Sequence, residues 1–158
     1  HTAKDAQRFT ETVRSGRGEV IFGADFITGF PTETDEMFEN TISQVKDCGI
    51  SFLHVFPYSS RDGTPAARMP QVPAEVRKDR ARRLRQAGKL AELDLFDRLV
   101  GKTDRVLVEK TGNDGLWLGH TEGFAPIRVS GDLKPGEIVP VRILPTHQQG
   151  LLGEIIDG

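Results

Sequence analysis

The chain has 158 residues, enough for one ordinary domain or for a partial domain followed by a small one. Its formal charge of −2 excludes a global attraction to nucleic acid, so any such binding must come from local patches. A single cysteine excludes an internal disulfide, as a reducing, cytoplasmic setting leads one to expect; no apolar stretch or signal-peptide pattern points to a membrane.

Residues 2–15 read as a helical stretch already under way at the first residue. With the absence of a starting methionine before His1, this predicts the C-terminal part of a longer protein. The run 19–28 carries Val20, Ile21, Phe22, Phe26 and Ile27 and stops at Gly29-Phe30-Pro31, which predicts a buried strand ending in a turn. Met37, Phe38, Ile42 and Val45 then recur at helical spacing through 34–48, with Thr32 or Thr34 as N-cap and Asp35 and Glu36 in the first turn. A second strand, 51–56, contains Phe52, Leu53, Val55 and Phe56 and ends at Pro57, which lacks the N–H a central ladder needs. Strand, helix, strand predicts a parallel pair, and ligands of such units collect at the carboxyl ends, where loops 29–34 and 58–65 sit.

Within these loops Gly29 would let backbone approach a ligand, and Glu33 could accept hydrogen bonds from it; equally, both could merely shape a strand-to-helix turn. Arg61 suits a phosphate or carboxylate, or a loop salt bridge with Asp62. His54, flanked by Leu53 and Val55, reads as an interior histidine, and Cys48 as a small half-buried side chain rather than a ligand. His1, His54, His120 and His147 give neither a Ser/His/Asp triad nor metal-ligand spacing, so no catalytic residue and no metal ligand is expected.

Residues 73–99 predict a long helix started by Pro73, with Val76, Leu84, Ala87, Ala91 and Phe96 on a packed face and Gly88 as a weak point. Arg77, Lys78, Arg80, Arg82, Arg83, Arg85 and Lys89 stand there against Glu75 and Asp79. Lys78, Arg82, Arg85 and Lys89 would form one stripe, either an RNA-phosphate track or a solvated face. Short β runs follow at 106–109, 116–121, 124–129, 138–144 and 151–156, with turns such as Lys134-Pro135-Gly136; five such strands fit a small OB-like antiparallel barrel. From Arg98 onward acidic residues slightly outnumber basic ones, which rules out a uniformly basic surface. A local RNA face could still be built from Lys102, Arg105, Lys110, Trp117, Phe124 and Arg128, supplemented by His120 or His147. Trp117 faces opposite to Leu116 and Leu118, so it is exposed if those leucines are core, the arrangement favoured here.

Three stretches carry a resemblance to a known family. Gly23-Ala24-Asp25-Phe26-Ile27-Thr28-Gly29-Phe30-Pro31-Thr32-Glu33-Thr34, His54-Val55-Phe56-Pro57-Tyr58-Ser59 and Arg61-Asp62-Gly63-Thr64-Pro65-Ala66-Ala67 resemble the late part of the radical S-adenosylmethionine barrel of the methylthiotransferases. The wording around His54, continued through Arg68-Met69-Pro70-Gln71-Val72-Pro73, is most similar to the branch that thiomethylates threonylcarbamoyladenosine next to the anticodon of tRNA. Relatives act on isopentenyl-adenosine in tRNA or on an aspartate of a ribosomal protein.

The resemblance implies an α/β plus all-β chain: a partial radical SAM β/α barrel over 1–98 and a TRAM domain, an OB-like β-barrel regarded as RNA-binding, over 99–158. It implies S-adenosylmethionine and two 4Fe-4S clusters in the intact parent, with Gly29, Phe30, Glu33, Phe56 and Arg61 on the cofactor side. The tRNA anticodon stem-loop is the implied partner, with Lys78, Arg82, Arg85, Lys102, Arg105, Lys110, Trp117 and Arg128 toward RNA. The family's C-x-x-x-C-x-x-C run and the cysteines of its second cluster are missing, so no cofactor is expected on this segment and catalysis belongs to the parent. Two other readings are a nonenzymatic RNA-binding module and a β/α barrel enzyme gripping an anion at the Gly29 and Gly63 loops. An unpaired edge in a partial barrel also predicts self-association.

Overall fold

The computed structural model describes residues 2–17, 20–145 and 150–156, so His1, Glu19 and His147 lie outside the described residues. The chain divides into two compact units, residues 1–93 and 94–158.

The first unit contains α1 (Ala3–Arg17), β1 (Phe22–Thr28), α2 (Asp35–Asp47), β2 (Ile50–Pro57), a short 3-10 turn (Ala66–Arg68) and most of α3 (Ala74–Leu99). The Thr34 hydroxyl accepts the Met37 N–H at 3.2 Å and caps α2, while Thr32 sits in a left-handed turn at φ +70°. β1 and β2 pair in parallel, Ala24 opposite Leu53 and Phe26 opposite Val55. Alternation divides the two strands between two faces. Phe22, Ala24, Phe26, Leu53 and Val55 join Phe38, Val45, Cys48, Ala81 and Leu84 in the core.

The other face carries Asp25 beside His54 and Ile27 beside Phe56, and all four are exposed. β1 is therefore not buried on both faces, and His54 is a surface residue, because the strand period of two carries it away from Leu53 and Val55. Cys48 is buried outright, with the Gln44 amide 3.3 Å from its Sγ.

Arg80, Ala81, Leu84 and Gly88 are buried along one stripe of α3. The helix runs unbroken through Gly88, where an added Cβ would stand 3.1 Å from Leu53 Cβ. That glycine lets α3 lie close to β2 rather than bending it.

In the second unit Leu95, Phe96 and Leu99 at the end of α3 are buried. The Gly101 N–H donates to the Ile143 carbonyl and the Ile143 N–H to the Lys102 carbonyl, both at 2.8 Å. β3 (Thr103–Thr111), β4 (Trp117–Thr121), β5 (Pro126–Val129), β6 (Ile138–Leu144) and β7 (Leu151–Ile155) close into a barrel ordered β3-β4-β5-β7-β6. Val106, Val108, Ile127, Val129, Val141, Ile143 and Leu151 fill it. Every ladder is antiparallel except β5–β7. A closed ring with an odd number of strands must contain a parallel neighbour, which is how this architecture departs from the all-antiparallel expectation. Among the described residues no helix is long and apolar enough to cross a membrane.

Asp114, in the β3–β4 turn, accepts the Leu116 N–H and pairs with Arg128 at 3.1 Å. The backbone hydrogen bond first, then Arg128, holds its carboxyl below the usual carboxylate range. A depressed folded-state pKa adds stability above the unfolded value and loses it as pH falls through the folded one. Asp114→Asn is therefore expected to flatten the acid limb of barrel unfolding, followed by Trp117 fluorescence between pH 5 and about pH 2; an unchanged limb would remove Asp114 from the acid response.

Candidate functional site

The Tyr58 N–H donates to the Thr28 carbonyl at 2.8 Å, carrying the parallel ladder past Pro57 to the carboxyl edge of both strands. An open cleft of about 510 Å³ lies there, lined by Ile27, Phe56, Tyr58, Ser59, Arg61 and Thr64 among others. Ile27 and Phe56 are each more than half exposed and give it an apolar wall. Arg61 forms no ion pair among the described residues, with Asp62 or any other carboxylate. Phe30 packs edge-on against Tyr58, ring centroids 5.2 Å apart. The fold thus gathers Phe56 and Arg61 in one cleft, with Phe30 joined through Tyr58.

Gly29 and Glu33 are used differently. The Gly29 N–H donates to Glu33 Oε2 at 2.8 Å, and Arg80 donates to the same oxygen at 2.6 Å and to the Glu33 carbonyl at 3.0 Å. The other guanidinium nitrogen of Arg80 meets Asp35 at 2.7 Å, and its plane lies over Phe38 with Cζ 5.5 Å from the ring centre. Burial disfavours the charged guanidinium, but the hydrogen bonds and charges of Asp35 and Glu33 outweigh it and raise the Arg80 pKa. The Glu33 side chain is 12% exposed, so its carboxylate fastens the β1–α2 turn to α3. At Gly29, φ is +70°, and a Cβ would overlap Arg77 Cγ. It is α3 that approaches the backbone here.

The α3 stripe is present but partnered. Lys78 pairs with Glu75 at 3.1 Å, Arg82 with Asp79 at 2.6 Å and Lys89 with Glu92 at 2.5 Å, while Arg85 donates to the Val55 carbonyl at 2.9 Å. Exposed pairs of this kind hold their partners weakly. Arg77 and Arg80 lie off that stripe, Arg80 in the interior and Arg77 donating to the Tyr58 carbonyl at 2.7 Å.

On the barrel, register fixes which candidates share a face. Lys110, Leu118 and Arg128 stand side by side across β3, β4 and β5. The adjacent outward row runs Ile138, Leu107, His120, Pro126 across β6, β3, β4 and β5. Arg105, two residues before Leu107, borders that row and is paired with Glu122. Lys102 precedes β3 and is exposed. Trp117 does not belong to this face. It shares a side with Gly119 and Thr121, which are buried, and stands opposite the buried Val129, half-buried at the barrel end with its Nε1–H donating to the Gly131 carbonyl at 3.1 Å. The expectation that it faces outward therefore gives way: the Leu118 side of β4 is the outer one.

Comparison with known proteins decides what kind of chain this is. Residues 97–156 match the family described as TRAM domain. The chain is 44% identical over 91% of its length to the threonylcarbamoyladenosine tRNA methylthiotransferase of Rickettsia prowazekii. It is 36% identical over 99% of its length to the tRNA-2-methylthio-N(6)-dimethylallyladenosine synthase of Erythrobacter litoralis. It is 34% identical over 98% to a probable threonylcarbamoyladenosine tRNA methylthiotransferase of Archaeoglobus fulgidus.

The chain belongs to the methylthiotransferase family.

It spans about a third of the length of these relatives, 33% of the first and 36% of the other two. This methylthiotransferase segment presents two separate candidate surfaces, the strand-end cleft of the first unit and the outward face of the TRAM barrel. Sequence reasoning missed the interior role of Arg80, which it counted among the basic residues of the helix without placing it on a face. The available signal was its helical phase, one residue before Ala81 and four before Leu84. Leu107, Ile138 and the Asp25–His54 pair were missed as surface features because alternation defines two faces without saying which is covered.

Proposed function

We propose that this segment serves, within a longer protein, a tRNA methylthiotransferase that adds a methylthio group to threonylcarbamoyladenosine beside the anticodon. The identity to the Rickettsia enzyme, higher than to the dimethylallyladenosine synthase of Erythrobacter over nearly the same residues, is the observation that carries the reading. A tRNA substrate makes the cytoplasm the expected location.

The strand-end cleft suits one side of an S-adenosylmethionine site. Ile27 and Phe56 offer an apolar wall, and the Arg61 guanidinium, in no ion pair among the described residues, matches a carboxylate in charge and geometry. Bound in the longer protein, the cofactor would supply the methyl group and the radical start of the reaction. The iron–sulfur clusters do not fit this chain, since such clusters need several cysteine thiolates and Cys48 is the only cysteine, buried beside Gln44. The segment alone is therefore expected to be inactive, its own residues orienting cofactor and RNA.

The test is to incubate the longer protein, prepared anaerobically, with tRNA and S-adenosylmethionine and to analyse the digested nucleosides by mass spectrometry. A methylthio group on threonylcarbamoyladenosine is expected. Modification of dimethylallyladenosine instead would overturn the branch, and no modification by protein carrying its clusters would overturn the reaction.

The 158-residue chain itself is expected to bind an anticodon stem-loop RNA in a salt-dependent way. If about four phosphates are neutralised, log K falls with log salt at a slope of about −3. Fluorescence anisotropy from 25 to about 200 mM salt reads that slope. Binding that ignores salt would exclude the cations of α3 and the barrel as phosphate contacts.

A further inference from the structure

Phe124 is 78% exposed and stands at φ +64°, one of two non-glycine residues in the left-handed region among the described residues. An L side chain is strained there, and glycine would relieve the strain at once. The backbone at Phe124 is nevertheless fixed by a network that closes the β4–β5 loop. The Phe124 N–H donates to the Thr121 carbonyl at 2.9 Å, the Thr121 N–H to the Ala125 carbonyl at 3.0 Å, and the Ala125 N–H to the Thr121 hydroxyl at 3.1 Å. His120 lies beside it, ring centroids 6.3 Å apart and planes tilted by 44°, and is held from the other side by Glu109 at 3.1 Å. Leu107 and Ile138, 44% and 60% exposed, continue the apolar row from His120. A large ring carried into water on a strained but hydrogen-bonded backbone contributes little to the barrel core, and an observed backbone outlier of this sort points toward function.

We infer that Phe124, with His120 beside it, is the platform on which the TRAM barrel stacks an unpaired RNA base. The inference rests on the RNA-binding reading above and selects the loop ring over the other aromatic candidate, Trp117, whose indole lies at the barrel end. The flanking charges favour a nucleic acid over another apolar surface: Lys110 borders one side of the row with no partner among the described residues, and Arg105 borders the other. The Glu122 carboxylate on Arg105 is exposed, so a phosphate can replace it. Because carboxylates are interspersed here, stacking carries the interaction and long-range attraction is weak, as in other sequence-tolerant single-strand sites.

Phe124→Gly separates a binding role from a structural one. It removes the ring and relieves the positive φ, so the thermal midpoint of the barrel, read by Trp117 fluorescence, is expected to stay level or rise. Affinity of the 158-residue chain for an anticodon stem-loop with 2-aminopurine in its loop is expected to fall about 5- to 100-fold, with loss of the stacking quench. Phe124→Trp is expected to restore both. Unchanged affinity and quench in Phe124→Gly, with the wild-type chain binding normally, would overturn the platform and leave the RNA reading standing. No binding by the wild-type chain even at low salt would remove the RNA reading beneath it. A concentration-dependent dimer that Phe124→Gly dissolves without changing RNA affinity would assign the ring to a protein contact and overturn the inference.

Discussion

Replacing Arg80 with alanine is expected to destabilise the first unit by about 3–5 kcal/mol, the cost of stranding one member of a buried ion pair. The Arg80 side chain is 6% exposed and that of Glu33 12%, so little solvent could enter to compensate the remaining carboxylate. Asp35 is 94% exposed, so water takes over its carboxylate once Arg80 is removed, which leaves Glu33 as the stranded partner that sets the size of the effect. The chain has one tyrosine and one tryptophan, so Tyr58 reports the first unit and Trp117 the barrel in the same urea titration. Arg80→Ala should lower the tyrosine transition and leave the tryptophan transition in place. The double variant Arg80→Met with Glu33→Gln, which removes both charges and keeps the volume, should recover much of the loss. A single-variant loss below about 1 kcal/mol would show that water solvates the pair and that the burial argument fails.

Gly29→Ala is the second large effect, with an expected loss of about 3 kcal/mol from two independent sources. A left-handed backbone costs an L residue about 1–2 kcal/mol. The added methyl also overlaps Arg77 Cγ, and overpacking costs about 1–3 kcal/mol. Arg77 cannot swing aside without giving up its 2.7 Å bond to the Tyr58 carbonyl, so the cleft wall should shift as well. Combining Gly29→Ala with Arg77→Ala relieves the overlap and keeps the dihedral cost. Denaturant midpoints for the two singles and the double separate these sources by their coupling energy. Strict additivity would mean that Arg77 does not press on residue 29, and the packing half of the account would be lost.

Much of the architecture was legible because it follows from periodicities that operate along the chain. The i, i+4 recurrence through Phe38, Ile42 and Val45 announces α2, and Thr34 followed by Asp35 and Glu36 announces its start. The strand–helix–strand order implies the parallel pairing of β1 with β2. The five β runs punctuated by glycine turns imply a small barrel. What misled was identity of residue type at different helical phases. Arg80 and Arg82 look alike in composition, yet one is buried between Glu33 and Phe38 and the other pairs with Asp79 in solvent. Glu33 is likewise a good ligand group by type, but its partner is 47 residues further along the chain and cannot be inferred locally.

By itself the sequence determined the helices and strands, the parallel pair, the small barrel, the absence of cluster-binding cysteines and the family, because each depends on residue order or count. Tertiary structure decided which side of each element is covered. It turned Gly29 and Glu33 into the fastening of α3, exposed His54 beside Asp25, set Trp117 at the barrel end and left Phe124 in solvent. The physical reason is that a period of 2 or 3.6 divides an element into faces symmetrically, and only packing against distant residues breaks that symmetry.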